Sequence, residues 1–132
     1  MGACIGQPSV LRRSRNVSQC KPRTKVLWIK EQYLQQILGG RKTVEIRVSY
    51  PNIQQLKPGD ILLLNEKHRV VIRRIGRYAS FAELVAHEDP SAIAPGLRAE
   101  ELLEACRAIY PPEKEALGAV ALEINLLGSP GE

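Results

Sequence analysis

Histidine and cysteine are scarce in this 132-residue chain, which has two of the first and three of the second. Cys4, Cys20 and Cys106 show no CxxC spacing and no histidine series beside them. That excludes the usual zinc ligand sets, so no metal and no cofactor is expected. Long apolar runs are missing too. None exceeds four residues, the length of Val26–Ile29 and Ile61–Leu64, against the roughly 18 needed to span a bilayer. No membrane partner is therefore expected, and a reducing, intracellular, cytoplasmic setting is the simplest reading. Acids are absent from the first 30 residues, which carry seven Lys or Arg, while the rest holds 12 bases against 14 acids. The net charge of +5 thus belongs to the amino-terminal segment, and any basic site in the body must be a local patch.

Residues 1–24 mix Gly, Pro, Ser and Arg without periodicity and read as a disordered basic arm. Gly6 stands where a myristoylation signal needs Ser or Thr, and no secretory apolar stretch is present. An organellar transit peptide fits the arm's composition if the source is eukaryotic. Residues 25–126 form the expected domain, and 127–132 a flexible tail. Within the domain, Val26–Ile29 reads as a strand, and Leu34, Ile37 and Leu38 have helical spacing that Gly39-Gly40 ends. A strand over 43–48 follows, then the turn Lys57-Pro58-Gly59-Asp60, the strand Ile61–Leu64, and a hairpin through residues 65–68 onto 69–75. Ser80 and Glu83 form a capping box for a helix that buries Phe81, Leu84 and Val85. A second helix over 98–109 places Leu102, Leu103, Cys106 and Ile109 on one stripe, and Pro111-Pro112 stops it. In the last strand, 118–126, Val120, Leu122 and Ile124 point inward against Ala119, Ala121 and Glu123 outward. Strands joined by tight turns without regular βαβ alternation predict an α+β fold, a mixed, mostly antiparallel β-barrel with two or three short helices.

Gly40-Arg41-Lys42-Thr43-Val44-Glu45-Ile46-Arg47 is the densest polar cluster. A period of two puts Thr43, Glu45 and Arg47 on one strand face, opposite Val44, Ile46 and Val48, with Lys42 at the strand's entry. A carboxylate between cations can accept a hydrogen bond from a base's exocyclic amine while the cations hold a phosphate. The competing reading is a solvated strand face with one ordinary ion pair, which contributes little. Arg69, Arg73, Arg74 and Arg77 make a basic stretch suited to an RNA backbone. Tyr110, ahead of two prolines, either stacks on a base or caps the core. Trp28, the only tryptophan, is assigned to the core, Cys106 to apolar packing, and His87 to a helix end.

Gly40-x-Lys42-x-x-Glu45-x-Arg47 matches the GxKxxExR signature, and the chain resembles the ASCH domain, a family related to the PUA domains of RNA-binding and RNA-modifying proteins. Lys57-Pro58-Gly59-Asp60, Ser80-Phe81, Ile109-Tyr110-Pro111 and residues 118–124 continue the likeness, in the family's order. The resemblance implies a PUA-like barrel with a cleft lined by Lys42, Glu45 and Arg47, and RNA, a nucleotide or a nucleoside as ligand. The implied nucleic-acid-binding set is Lys42, Thr43, Glu45, Arg47, Arg69, Arg73, Arg74 and Tyr110. The sequence is also similar to bacterial N-acetylcytidine amidohydrolases, which use a Lys, a Thr three residues later and a distant Glu. Lys42 and Glu88 match the first and last, but Glu45 stands at the threonine position, so the catalytic set carried over is Lys42, Glu45 and Glu88 without a hydroxyl nucleophile. Thr43 lies roughly 6–7 Å along the strand from position 45, too far to substitute. In such a set Glu45 could serve only as a general base on water.

Overall fold

Val120, Leu122 and Ile124 alternate with Ala119 and Ala121 in the last strand, and both sets are buried. The cause is where that strand runs. The computed structural model describes residues 23–127, and in it five strands form one sheet: β1 (Thr24–Leu27), β2 (Val44–Val48), β3 (Ile61–Leu64), β4 (His68–Tyr78) and β5 (Ala119–Leu126). Their order is β1-β3-β4-β5-β2, with β1 parallel to β3 and the other pairings antiparallel. β5 is flanked on both sides and covered on both faces. One face carries Val120, Leu122 and Ile124 into a core with Leu62, Leu64 and Ile72. The other sets Ala119 and Ala121 beneath Phe81, Leu84 and Leu102. The outward assignment of the two alanines is thus corrected: their small side chains let helices pack close to the sheet. Glu123 remains half-buried, ion-paired to Arg74 at 2.8 Å.

β4 starts in a hairpin with β3 and then passes along β5, with a register shift between Ile72 and Arg74. Bulges of this kind increase twist, and the sheet curls into a half-barrel. Its two edges, β1 and β2, approach where the Arg47 Nη2 donates to the Trp28 carbonyl at 2.8 Å. The fold is the expected α+β, PUA-like one.

The helices are α1 (Glu31–Leu38), α2 (Pro51–Gln54), α3 (Phe81–His87), α4 (Pro90–Ile93), α5 (Ala99–Ile109) and α6 (Pro112–Glu115). Six among the described residues exceed the two or three expected. The three unforeseen ones are single turns, and each opens on a proline. Proline marks turns and helix stops in a sequence, and its fixed φ also suits the first position of a helix. α1 closes through Gly39 and Gly40; the latter has φ +80°, which glycine adopts without a Cβ penalty. Ser80 caps α3 by accepting from the Glu83 N–H at 3.1 Å. Two core assignments are corrected. Trp28 is 62% exposed and Ile109 56% exposed, because Leu27 and Ile29 take the inward positions around the first and Leu102 and Cys106 those of α5. Residues 1–22 of the basic arm and 128–132 of the tail lie outside the described residues, and β1 already begins at Thr24. Among the described residues no helix is long and apolar enough to cross a membrane.

Candidate functional site

The turn after α1 delivers Lys42 to the start of β2, with its backbone N–H on the Gln36 carbonyl at 3.1 Å. Its side chain folds inward and is only 5% exposed. Its ammonium group donates to the Val44 carbonyl at 2.8 Å and the Ile93 carbonyl at 2.7 Å, and ion-pairs with Glu45 Oε1 at 3.0 Å. The Ile93 bond fastens α4 to the strand. Lys42 is therefore a fixed cation beside Glu45.

Glu45 pairs with Leu122 and Arg47 with Val120 across the β2–β5 ladder, so both side chains project from one face as their spacing predicts. That face is enclosed rather than solvated. Glu45 is 9% exposed, and its Oε2 accepts from Arg47 Nε at 2.9 Å and Nη2 at 2.8 Å. Removing a carboxylate from water costs several kcal/mol unless cations and hydrogen bonds compensate. Two cations do so here. One carboxylate oxygen can accept about two hydrogen bonds, which leaves capacity on Oε1, and among the described residues no hydrogen bond uses Arg47 Nη1. Glu45 thus keeps an acceptor, and Arg47 a donor, that the protein does not use.

They border a cavity of about 250 Å³. Its floor holds the buried side chains of Ile29, Lys42, Glu45, Ile93, Leu102 and Cys106, and Trp28, Lys30, Leu97 and Ile109 stand exposed at its rim. Tyr33 and Tyr110 supply aromatic wall, with Lys42 Nζ 5.9 Å from the Tyr33 ring centre. Pockets for drug-sized ligands run from about 300 to 1,000 Å³, so this one suits a single ring system with one polar edge. Burial pushes the Cys106 thiol up to about 11, which keeps it a neutral, apolar wall.

The other sequence-predicted residues are distributed unevenly. Tyr110 packs against the core, stacked on Phe81 at 5.6 Å, and also lines the cavity, and burial raises its hydroxyl pKa. Thr43 is exposed and outside the lining, its backbone tied to Ala92 and Ile124. Arg69 and Arg73 are exposed on β4, and Arg77 reaches the Leu56 carbonyl at 3.4 Å. Glu88 is not among the cavity's lining residues. Its Oε1 accepts from Arg74 Nη2 at 2.7 Å and its Oε2 from Nη1 at 3.0 Å, with the Tyr78 hydroxyl also on Oε2. The arginine bonds hold the Glu88 carboxyl below the usual range. The coordinates bring Lys42, Glu45, Arg47 and Tyr110 together, and gather Arg74 with Glu88 elsewhere.

Trp28, Tyr33 and the α4–α5 wall were missed. For Trp28 the signal was present: alternation in Val26-Leu27-Trp28-Ile29 puts Leu27 and Ile29 on one face and Trp28 on the other. The helical wall had no such mark, since its side chains look like ordinary core.

No curated protein matches the chain. Solved structures do match it. A crystal structure of hypothetical protein PH0355 is 32% identical, with a TM-score of 0.75, covering 79% of this chain and 99% of its own. A solution NMR structure of protein PF0455 from Pyrococcus furiosus is also 32% identical, with a TM-score of 0.65 and coverages of 82% and 99%. The ASCH domain model matches residues 27–128, a span that takes in every strand but the first residues of β1. With the motif, the curled half-barrel and the matched span in agreement, the chain belongs to the ASCH domain family.

Proposed function

We propose that this ASCH domain binds RNA or a nucleotide by taking a nucleobase into the cavity, with its polar edge on Glu45 and Arg47. The observation that carries this reading is the carboxylate held between Lys42 and Arg47, both it and Arg47 lining the cavity. A base edge offers the complement, an N–H next to a ring nitrogen or carbonyl. The apolar walls suit the faces of the ring. The net positive charge of the three side chains suits an attached phosphate, and the exposed Arg69 and Arg73 would contribute backbone contacts along a strand.

The test is a titration of labelled single-stranded RNA and of nucleoside monophosphates against the wild type, Glu45→Gln and Arg47→Ala, each checked for folding by thermal melting. Glu45→Gln keeps the shape and reverses one acceptor, so both variants should weaken binding at least tenfold. Wild-type affinity in both, with native melts, would remove the cavity from the account.

A hydrolase acting on an acylated nucleoside such as N-acetylcytidine is the alternative. It draws less support, because the Lys42 ammonium is tied to two backbone carbonyls and ion-paired to Glu45, Glu45 replaces the threonine, and Glu88 is engaged by Arg74. Release of cytidine from N-acetylcytidine at high protein concentration would reverse that ranking.

A further inference from the structure

The one tryptophan of the chain stands at the cavity rim with most of its surface in water. An exposed indole forgoes the burial that normally makes aromatic residues stabilising. Yet the backbone beneath it is held from two directions. Arg47 donates to the Trp28 carbonyl from one side. From the other, Asn65 takes both polar groups of the next residue: the Ile29 N–H bonds Asn65 Oδ1 at 2.7 Å, and Asn65 Nδ2 bonds the Ile29 carbonyl at 2.9 Å. The Asn65 N–H also bonds the Leu27 carbonyl at 3.0 Å. Asn65 has φ +52°, a left-handed conformation that asparagine tolerates better than most residues. Leu27 and Ile29 anchor the same segment in the core. A mobile surface residue has no use for so many restraints, whereas a platform needs them, because a pre-positioned ring loses little freedom when a ligand lands on it.

From this arrangement we infer that Trp28 is the stacking surface for the ligand's ring, and that Asn65 is its positioning residue. The inference rests on reading the cavity as a nucleobase site and narrows the ligand class. With its face on the indole and its edge on Glu45 and Arg47, the base must be unpaired, since pairing would occupy the edge and stacking in a duplex would cover the face. The ribose and phosphate then remain at the rim, where Lys30 is exposed. A free nucleoside monophosphate and the splayed base of a single strand share this chemistry.

Because the chain has a single tryptophan, its fluorescence reports this position alone. CMP, UMP, AMP and GMP, and homopolymeric RNA tetranucleotides, are titrated against the full chain with fluorescence and calorimetry in parallel. The indole should be quenched at the same ligand concentrations that release heat. Trp28→Ala should weaken binding by roughly 5- to 150-fold, the equivalent of the ~1–3 kcal/mol of one base–aromatic stack, and melt like the wild type. Trp28→Phe should restore most of the affinity. Asn65→Gly keeps the left-handed turn while removing the side-chain bonds. It should cost less affinity and raise acrylamide quenching of Trp28 in the unliganded protein. Tetranucleotides binding more tightly than monophosphates support the platform with a strand as source, and equal affinities support it with a free nucleotide. Binding that Trp28→Ala leaves unchanged and Arg47→Ala abolishes would overturn the platform and spare the cavity. No heat with any of these ligands would overturn both.

Discussion

Glu45 in β2 and Glu88 at the end of α3 are both buried carboxylates held by arginine, and their surroundings differ in their other partners and in the space beside them. Glu88 sits over Gly76, where a Cβ would come within 2.7 Å of its Oε2 and 2.9 Å of the Tyr78 ring, so the cluster is closed on itself. Both of its oxygens are engaged, and the carboxylate raises the pKa of its arginine and tyrosine partners in return. Glu45 has a second cation, Lys42, and an adjoining cavity. Similar charges thus make a fastening between α3 and β4 in one place and border a cavity in the other. Ion pairing alone does not mark a binding site. The empty volume beside it does.

The contrast can be broken at either end. The largest effect is expected from Lys42→Ala, which leaves Glu45 buried without its nearer cation and frees the Ile93 carbonyl. Urea unfolding should show a loss of about 3–5 kcal/mol. Gly76→Ala should cost less, about 1–3 kcal/mol, by overpacking the Glu88 seat, and nucleotide affinity measured on the folded protein should stay at the wild-type value. Reduced affinity there would couple the two clusters and erase the distinction between them.

Acid titration isolates the closed cluster further. Glu88 titrates below its ordinary value of 4.5 in the folded state, so its stabilising effect is complete above the unfolded value and is lost as pH falls through the folded one. Stability measured from pH 7 down to about 3 should fall more steeply in the wild type than in Glu88→Gln. Glu115, lowered chiefly by its bonds from Arg107, contributes the same sign in both proteins and cancels. The smallest effect on stability, within about 0.5 kcal/mol, is expected from exposed Arg69→Ala. If a single strand runs over β4, the same variant should shallow the slope of log affinity against log salt by about 0.7, and an unchanged slope would confine recognition to the cavity.

Much of this was legible in advance because short-range rules governed it. The period of two in 43–48 placed Glu45 and Arg47 together, the glycine pair ended α1, and Ser80 marked the start of α3. The failures share a cause. Ala119 and Ala121 looked like a solvent face because alternation names two faces but not which neighbours cover them. Trp28 was judged by its residue type rather than by its place in the alternation. Whether Lys42 and Glu45 are enclosed or solvated stays open in the sequence because the elements enclosing them, α4 and α5, lie some 50 or more residues further along.

The sequence by itself determined the family, through motifs in a fixed order along the chain, and the clustering of three charges at one short strand, which depends on residues a few positions apart. Only the tertiary structure decided that those charges are wholly or partly buried, that Lys42 is tied to distant backbone, that Glu88 belongs to a separate fastening, and that a cavity opens beside Glu45. Those properties arise where distant segments meet, and burial, pairing and empty space are set by what the rest of the chain brings to a residue.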